Sequence, residues 1–449
     1  MKIEIPPFVT ELINRLESWG RQTYCVGGCV RDSLLGASPQ DWDLATAALP
    51  EELLICFKDY RTLDTGLKHG TVTVFSQGRA VEITTFRIDG SYADARHPDA
   101  VSFTASIEED LKRRDFTVNA MAYHETKGLI DPYGGVRDLE AGILRSVGKP
   151  SERFSEDALR IIRCLRFASV LGFQIEPATK QSAQMLQNGL LQVSFERIAK
   201  ELEKLLCGTY AADTLRDNSR ILFTILPELA PMKGCKQEPP YHLYDVWEHT
   251  LHALGHAVQK FSVRFALLLH DSGKPEAKTY GADGTAHFYG HAKHSAAICR
   301  KIAERLRLPN RFQSSAERLV LYHDTPLPMK ESKIRKLLLA LGEEGFFDLL
   351  DVMRGDTFAH SSHIAKNAPP LIDAASETAR RLLDSGACLS MKQLAVNGND
   401  LKEIGFTDGK LLGDSLKKLF ALVVAGGMQN ERDTLLKAAG KMLRQYEKT

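Results

Sequence analysis

Two hydrophobic periods divide this chain. Up to about residue 145, short apolar runs are punctuated by Gly, Asn and Asp. From about residue 152 onward, apolar positions recur at helical spacing almost without interruption. Within the first part, residues 22–26 and 41–46 read as strands and 30–35 as a helix. Residues 71–75 and 80–87 alternate on either side of Gln77-Gly78, which predicts a β-hairpin. The segment 227–240 holds four prolines and reads as a boundary, and Asn367-Ala-Pro-Pro370 as a further break. No internal repeat or low-complexity tract is visible. The expected organisation is an α+β region with a small mixed sheet over 1–145, then helical regions over 146–235, 236–365 and 366–449.

Composition changes this picture little. The 449 residues are 43% hydrophobic and 26% charged, with net charge +1, so a nucleic-acid partner has to be held by local basic patches. Eight cysteines are scattered without a CxxC pair, and Cys25 and Cys29 lack the second ligand pair of a zinc site, so reduced thiols are expected. The N-terminus has no apolar signal core and no run reaches a membrane span. A cytoplasmic protein without membrane contact is the expectation.

The sharpest local signal is Cys25-Val-Gly-Gly-Cys-Val-Arg-Asp32 followed by Asp41-Trp-Asp-Leu44. Gly27 and Gly28 fall between a strand and a helix, where bare backbone can approach a phosphate. Asp41 and Asp43, at i and i+2 of one strand, project from the same face and repel unless a cation lies between them. Glu82 alternates with Val81 and Ile83 and offers a third carboxylate. Oxygen ligands of this kind suit Mg²⁺ and two-metal phosphoryl transfer, in which an attacking 3′-hydroxyl is activated and pyrophosphate leaves. The competing reading is a solvated acidic strand edge.

These motifs, followed by Arg113-Arg-Asp-Phe-Thr-Val-Asn-Ala120, Asp131-Pro-Tyr-Gly-Gly135 and Glu156-Asp-Ala-Leu-Arg160, resemble the ordered set of class II tRNA nucleotidyltransferases, relatives of bacterial poly(A) polymerases. The resemblance implies a polymerase-β-like head followed by helical neck, HD-like and tail domains. It implies addition of C, C and A to tRNA from CTP and ATP. Gly27 and Gly28 then hold the triphosphate, Asp41 and Asp43 the metals, and Arg114 and Asp115 the ribose. Arg31, Asn119, Arg163 and Arg166 are further nucleotide-binding candidates. Asp131-Pro-Tyr-Gly-Gly135 reads mainly as a structural turn, and Ser194–Ile198 with Glu201 as a neck motif that holds helices together. The polar segment 87–103 resembles the flexible loop of CCA-adding and A-adding members. Residues 65–72 look like the tRNA-enzyme version of their region and lack an Arg-rich poly(A) signature. Rival functions are a poly(A) polymerase, an A-adding specialist, an HD phosphohydrolase with a nucleotide-binding head, and a non-catalytic RNA-binding protein.

Residues 156–163 read as helical, which places Asp157 and Arg160 as neighbours on one face. An acceptor beside a donor matches the amine and ring nitrogen shared by cytosine and adenine, and opposes the reversed edges of uracil and guanine. One such pair can admit CTP and ATP and reject UTP and GTP, with about 1–3 kcal/mol per good contact. The bland alternative is a surface salt bridge.

A second cluster follows a different logic. His249, the adjacent His270-Asp271 with Gly273-Lys274, then His291, His323 and Asp324 fall on successive helices and resemble the HD phosphohydrolase signature. Imidazoles with carboxylates suit a divalent metal. The expected ligands are His249, His270, Asp271 and Asp324, with His291 and His323 as further candidates. The resemblance extends to hydrolysis of phosphates or cyclic phosphates at RNA ends. Beyond it, residues 397–424 resemble a tRNA-gripping tail in which Lys402, Lys410, Lys417 and Lys418 are candidate phosphate contacts.

Overall fold

The computed structural model describes residues 2–89, 101–237, 244–282, 284–360, 362–385 and 387–446. The chain forms two compact units, Met1–Pro227 and Glu228–Thr449.

The first unit is built on a mixed seven-stranded sheet. Its strands are β1 (Thr23–Val26), β2 (Asp43–Thr46), β3 (Arg61–Leu63), β4 (Thr71–Ser76), β5 (Arg79–Thr85), β6 (Ala122–His124) and β7 (Gly128–Ile130), in the order β3-β4-β5-β2-β1-β6-β7. Only β2 and β5 are parallel neighbours within this sheet, and their register sets Asp43 opposite Glu82. Interior β1, flanked by β2 and β6, is buried along its whole length. The hairpin expected around Gln77-Gly78 joins β4 to β5, and both turn residues have positive φ (50° and 77°), the geometry that matches strand twist. The core between the sheet and its helices gathers Tyr24, Val26, Ala45, Phe86, Ile107, Leu111 and Ala122.

Three expectations are corrected here. Strand β2 begins at Asp43 and not at 41, because pairing with β1 starts at Leu44 and with β5 at Asp43, leaving Asp41 in a bend before the ladder. The helix expected through 156–163 is two helices, with α1 (Pro150–Glu156) and α2 (Leu159–Leu171) separated at Asp157, whose backbone is extended. The Asp157 side chain accepts from the Leu159 amide at 3.0 Å, satisfying a helix-start donor that a continuous helix would not have left open. The break expected at 367–370 is absent. Pro369 and Pro370 lie inside the helix Ser362–Asp384, which buries Ile372, Ala375, Ala379 and Leu382 at helical spacing, so packing overrides the prolines. In the loop expected over 87–103, residues 90–100 fall outside the described residues, as do 238–243 beside the expected 227–240 boundary.

The second unit is mainly helical. Its helices include Val246–His256, Phe261–Leu269, His291–Arg305, Asn310–Tyr322 and Glu331–Phe358, the last interrupted at Gly342. The C-terminal helices Gly398–Glu403, Gly409–Val424 and Arg432–Tyr446 close around Leu401, Phe406, Leu419, Val423 and Leu435. Among the described residues no helix is long and apolar enough to cross a membrane, and all eight cysteines are free.

Candidate functional site

In the first unit a cavity of about 470 Å³ is lined by Gly27, Gly28, Asp43, Asn119 and Asp157 together with seven arginines, Arg31, Arg113, Arg114, Arg160, Arg163, Arg166 and Arg197. The excess of guanidinium over carboxylate makes it a receptor for polyanions. Gly27 sits where β1 gives way to the helix Gly28–Leu34, at φ 75°. A Cβ there would stand 3.0 Å from Arg114 Nη1, so the glycine both permits the turn and keeps that guanidinium against the backbone.

The carboxylates converge from the sheet. Asp43 and Glu82 are register partners on parallel strands, so their side chains share a face. Burial, then the Glu82 charge, push the Asp43 carboxyl up to about 6, with Asp41 adding to the rise and Arg114 opposing it. Asp41 is exposed at the mouth of the ladder rather than on it, and neither it nor Glu82 is among the cavity-lining residues. The Glu82 and Asp41 charges both raise Asp43, and a divalent cation beside that carboxylate would relieve them.

The cationic wall is held by internal pairing. Arg31 donates to Asn119 Oδ1 at 2.6 Å, and Asn119 in turn donates to Asp115 Oδ1 at 3.2 Å. Arg163 donates twice to Asp115 Oδ2, at 2.9 and 2.7 Å, and Arg166 pairs with Glu201 at 2.7 Å. Asp115 is buried, yet Arg163 and Asn119 hold its carboxyl down at about 2. With the Phe116 amide also donating to Oδ1, its four acceptor positions are filled from within the protein. Asp115 therefore fixes Arg163. The guanidiniums of Arg31, Arg163 and Arg166 surround the Phe167 ring at 5.3, 5.4 and 3.8 Å from its centroid.

Asp157 and Arg160 both reach this cavity, although not from one helix face and not paired to each other. Arg160 donates to Glu156, to the Arg153 carbonyl and to the Arg113 carbonyl at 2.7, 3.1 and 2.9 Å. Asp157 is gripped by Arg197 at 2.7 Å. The neck motif holds helices together as expected, since Glu201 on the strongly amphipathic helix Phe195–Leu206 pairs with Arg163 and Arg166 of α2. Arg197, four residues earlier, grips Asp157 and lines the cavity, which the sequence did not signal. Asp131 accepts from the Gly135 and Val136 amides and keeps the structural role expected of it.

The second unit brings the histidines together. His249 Nε2 lies 2.7 Å from Asp356 Oδ1 and 3.6 Å from Asp271 Oδ2, and His270 Nε2 lies 3.3 Å from each of those oxygens. The carboxylate expected to join His249 and His270 was Asp324. The place is taken by Asp356, because Glu331–Phe358 runs its last turn back beside Val246–His256. Asp324 lines the neighbouring cavity of about 310 Å³ with Lys274, His291 and His323. The signal available for Asp356 was its i,i+4 spacing from His360, whose Nε2 faces Asp356 Oδ2 at 3.3 Å. Burial works against ionisation, but His270 and Lys274 hold the Asp271 carboxyl well below its ordinary value, and His249, His270 and His360 do the same for Asp356. These groups can hold divalent metal ions.

Comparison with known proteins matches the same parts. Residues 23–145 match the poly A polymerase head domain, residues 172–233 an RNA- and SrmB-binding site of polymerase A, and residues 286–439 tRNA nucleotidyltransferase domain 2. The CCA-adding enzyme of Limosilactobacillus fermentum is 35% identical over 450 residues, covering 99% of this chain and 100% of that protein. That of Geobacillus stearothermophilus is 35% identical over 436 residues, covering 96% of each. The crystal structure of the Bacillus stearothermophilus CCA-adding enzyme in complex with CTP matches at TM-score 0.75 and 31% identity, over 99% of this chain and 100% of that one. With full-length relatives above 30% identity and a shared fold from end to end, this chain belongs to the CCA-adding enzymes, tRNA nucleotidyltransferases with a poly A polymerase head.

Proposed function

We propose that the chain adds C, C and A in turn to the 3′ end of tRNA from CTP and ATP, with Mg²⁺ held by Asp41, Asp43 and Glu82. The observation that carries this reading is the cavity in which Asp43, pushed up to about 6 first by burial and then by the Glu82 charge, stands among seven arginines and a glycine turn. Such carboxylates fit a hard, oxygen-seeking cation. When bound, Mg²⁺ lowers the pKa of the attacking 3′-hydroxyl and neutralises charge on the departing pyrophosphate. The chain's own residues do the remainder. Gly27 and Gly28 let the triphosphate approach the backbone, and Arg31, Asn119, Arg163 and Arg166 supply fixed donors that need little reorganisation. Arg114, beside the glycine turn, contacts the ribose, with Asp115 shared between it and Arg163. Asp157 offers an acceptor and Arg160 a donor to the base edge, each already oriented by neighbours. Cytosine and adenine fit that pair.

The test incubates the protein with Mg²⁺ and tRNA ending before C, after one C and after CC, with CTP and ATP separately and together. CCA ends on all three substrates are expected. A alone on the CC-ended tRNA, or long A tails, would replace this reading with an A-adding or poly(A) activity.

A second reading is favoured by the cluster of the second unit. His249, His270, Asp271 and Asp356 form a set suited to a divalent transition metal, and Lys274 beside them suits a phosphate. Metal-dependent phosphohydrolysis at RNA ends is the proposed further activity. Inactivity on phosphate esters with Mg²⁺, Mn²⁺, Co²⁺, Ni²⁺ and Zn²⁺ alike would remove it.

A further inference from the structure

Asp110 sits on the short helix Ile107–Lys112 and is not among the residues that line the head cavity. At 0% exposure no ligand reaches it. A carboxylate stripped of water is costly unless other donors replace the water, and here they come from three places. Oδ1 accepts from Arg113 Nε and Nη2 at 3.0 and 2.7 Å, and from the Arg87 amide at 3.4 Å. Oδ2 accepts from Arg114 Nε and Nη2 at 3.4 and 3.1 Å. Burial opposes ionisation, but Arg114 and Arg113 hold the carboxyl below its ordinary value. One anion thus gathers two consecutive arginines whose own charges repel.

Each of these arginines leads to a different part of the nucleotide cavity. Arg114 turns its Nε and Nη2 to Asp110, and its Nη1 lies over the glycine turn, 3.0 Å from where a Cβ on Gly27 would stand. Arg113 offers its backbone carbonyl to Arg160 Nη2 at 2.9 Å. Arg160 has two further anchors, Glu156 and the Arg153 carbonyl. Arg113, Arg114 and Arg160 all line the cavity that Asp110 lies behind.

We propose that Asp110 is a positioning residue for nucleotide choice, aligning Arg114 for the ribose through its side chain and Arg160 for the base through the Arg113 backbone. This rests on the roles given to Arg114 and Arg160 under the proposed function. The two routes differ in strength. Arg114 is bonded to Asp110 directly, whereas Arg160 keeps two of its three anchors when Asp110 is changed. Ribose choice therefore depends on Asp110 more than base choice does. Asp110→Asn removes the charge and turns a donating NH₂ toward one of the arginines. Asp110→Glu keeps the charge but lengthens the side chain by one methylene.

The measurement uses the full chain and tRNA ending before C, with kcat/KM determined for CTP, dCTP and UTP. Ratios of these constants do not depend on how much of a preparation is folded, so a variant that folds poorly still reports. In Asp110→Asn the CTP/dCTP ratio should fall about tenfold and the CTP/UTP ratio about threefold, with Asp110→Glu losing less of each. Arg114→Ala should lower the CTP/dCTP ratio at least as far, and adding Asp110→Asn to it should lower that ratio no further. Parent ratios in both Asp110 variants, with kcat alone reduced, would mean that Asp110 only supports the fold and would overturn the proposal. A full additional loss in the double variant would overturn the route through Arg114. A parent that does not choose between CTP and UTP would defeat the functional reading beneath the proposal, a result that no variant can produce.

Discussion

The arginine-lined cavity of the first unit and the histidine cluster of the second handle buried charge in opposite ways. In the head, charges are matched inside the protein: Arg163 to Asp115 and Glu201, Arg166 to Glu201, Asp157 to Arg197, Arg160 to Glu156. Such a wall keeps its shape without a ligand, because desolvation of each ion is offset by a partner. In the second unit, imidazoles and Lys274 crowd the Asp271 and Asp356 carboxylates, yet His270 Nε2 and both Asp271 oxygens lack hydrogen bonds of good geometry. That arrangement is costly until an external charge enters it. On the proposed functions, the first cavity selects among nucleotides and the second cluster captures a cation.

The largest test of this contrast is Asp43→Asn. Removing a carboxylate from the proposed Mg²⁺ site should lower nucleotide addition about a thousandfold, several kcal/mol of charge stabilisation, while Mn²⁺ retention by the second unit stays as in the parent. Single-turnover addition to CC-ended tRNA, together with metal counting, decides it. Activity within tenfold of the parent would break the assignment. The reciprocal change, Asp271→Asn, should weaken metal retention about a hundredfold or more and leave CCA addition within about twofold. Loss of CCA addition in that folded variant would mean that the two sites are not separable.

A smaller effect is expected from Asp157→Ala. Arg160 is pinned by the Arg153 and Arg113 carbonyls and so survives the change. Discrimination against UTP and GTP should fall by about 10–100-fold, the value of one good base-edge contact, with triphosphate binding changed less. Competition between CTP and UTP on tRNA ending before C measures it, and unchanged selectivity would move base reading elsewhere in the cavity.

How much of each site was legible follows the same division. The head is written in contiguous motifs: the Gly27-Gly28 turn and the alternation around Glu82 each state a local geometry, whereas the Asp41/Asp43 spacing put Asp41 on a strand that begins only at Asp43. The sheet then brings Asp43 and Glu82 together by register. What escaped was any partner chosen by tertiary packing. Arg197 reaches Asp157 across 40 residues, and the Asp157 kink depends on a side chain capping the next helix start, which helical periodicity cannot register. In the second unit the histidines were visible as motif residues. The carboxylate was misplaced because Asp324 is the Asp that follows the last motif histidine in sequence. Asp356 reaches His249 only through the return of a long helix interrupted at Gly342. Pro369-Pro370 failed as a break for a related reason, since an amphipathic face with enough buried side chains outweighs two missing amide donors.

The smallest predicted effect concerns pH. Asp43 is raised to about 6, first by burial and then by Glu82, whereas the second unit's Asp271 and Asp356 are held well below the usual carboxylate range. A carboxyl with a raised folded-state pKa binds a proton more tightly in the folded than in the unfolded chain. Its ionisation therefore costs stability as pH rises from about 4 to 6, and that cost is what Mg²⁺ relieves. Below pH 6 proton and cation compete, so apparent Mg²⁺ affinity of the head should drop about tenfold per pH unit, and above 6 it should level off. Glu82→Gln removes the like charge. It should weaken Mg²⁺ binding on the plateau and move the acid limb to lower pH. Mg²⁺ titrations at pH 5, 6, 7 and 8 on parent and variant separate the two effects. A limb that does not move with Glu82→Gln would mean that burial alone sets the Asp43 pKa, and that Glu82 stands beside the metal group without sharing its charge.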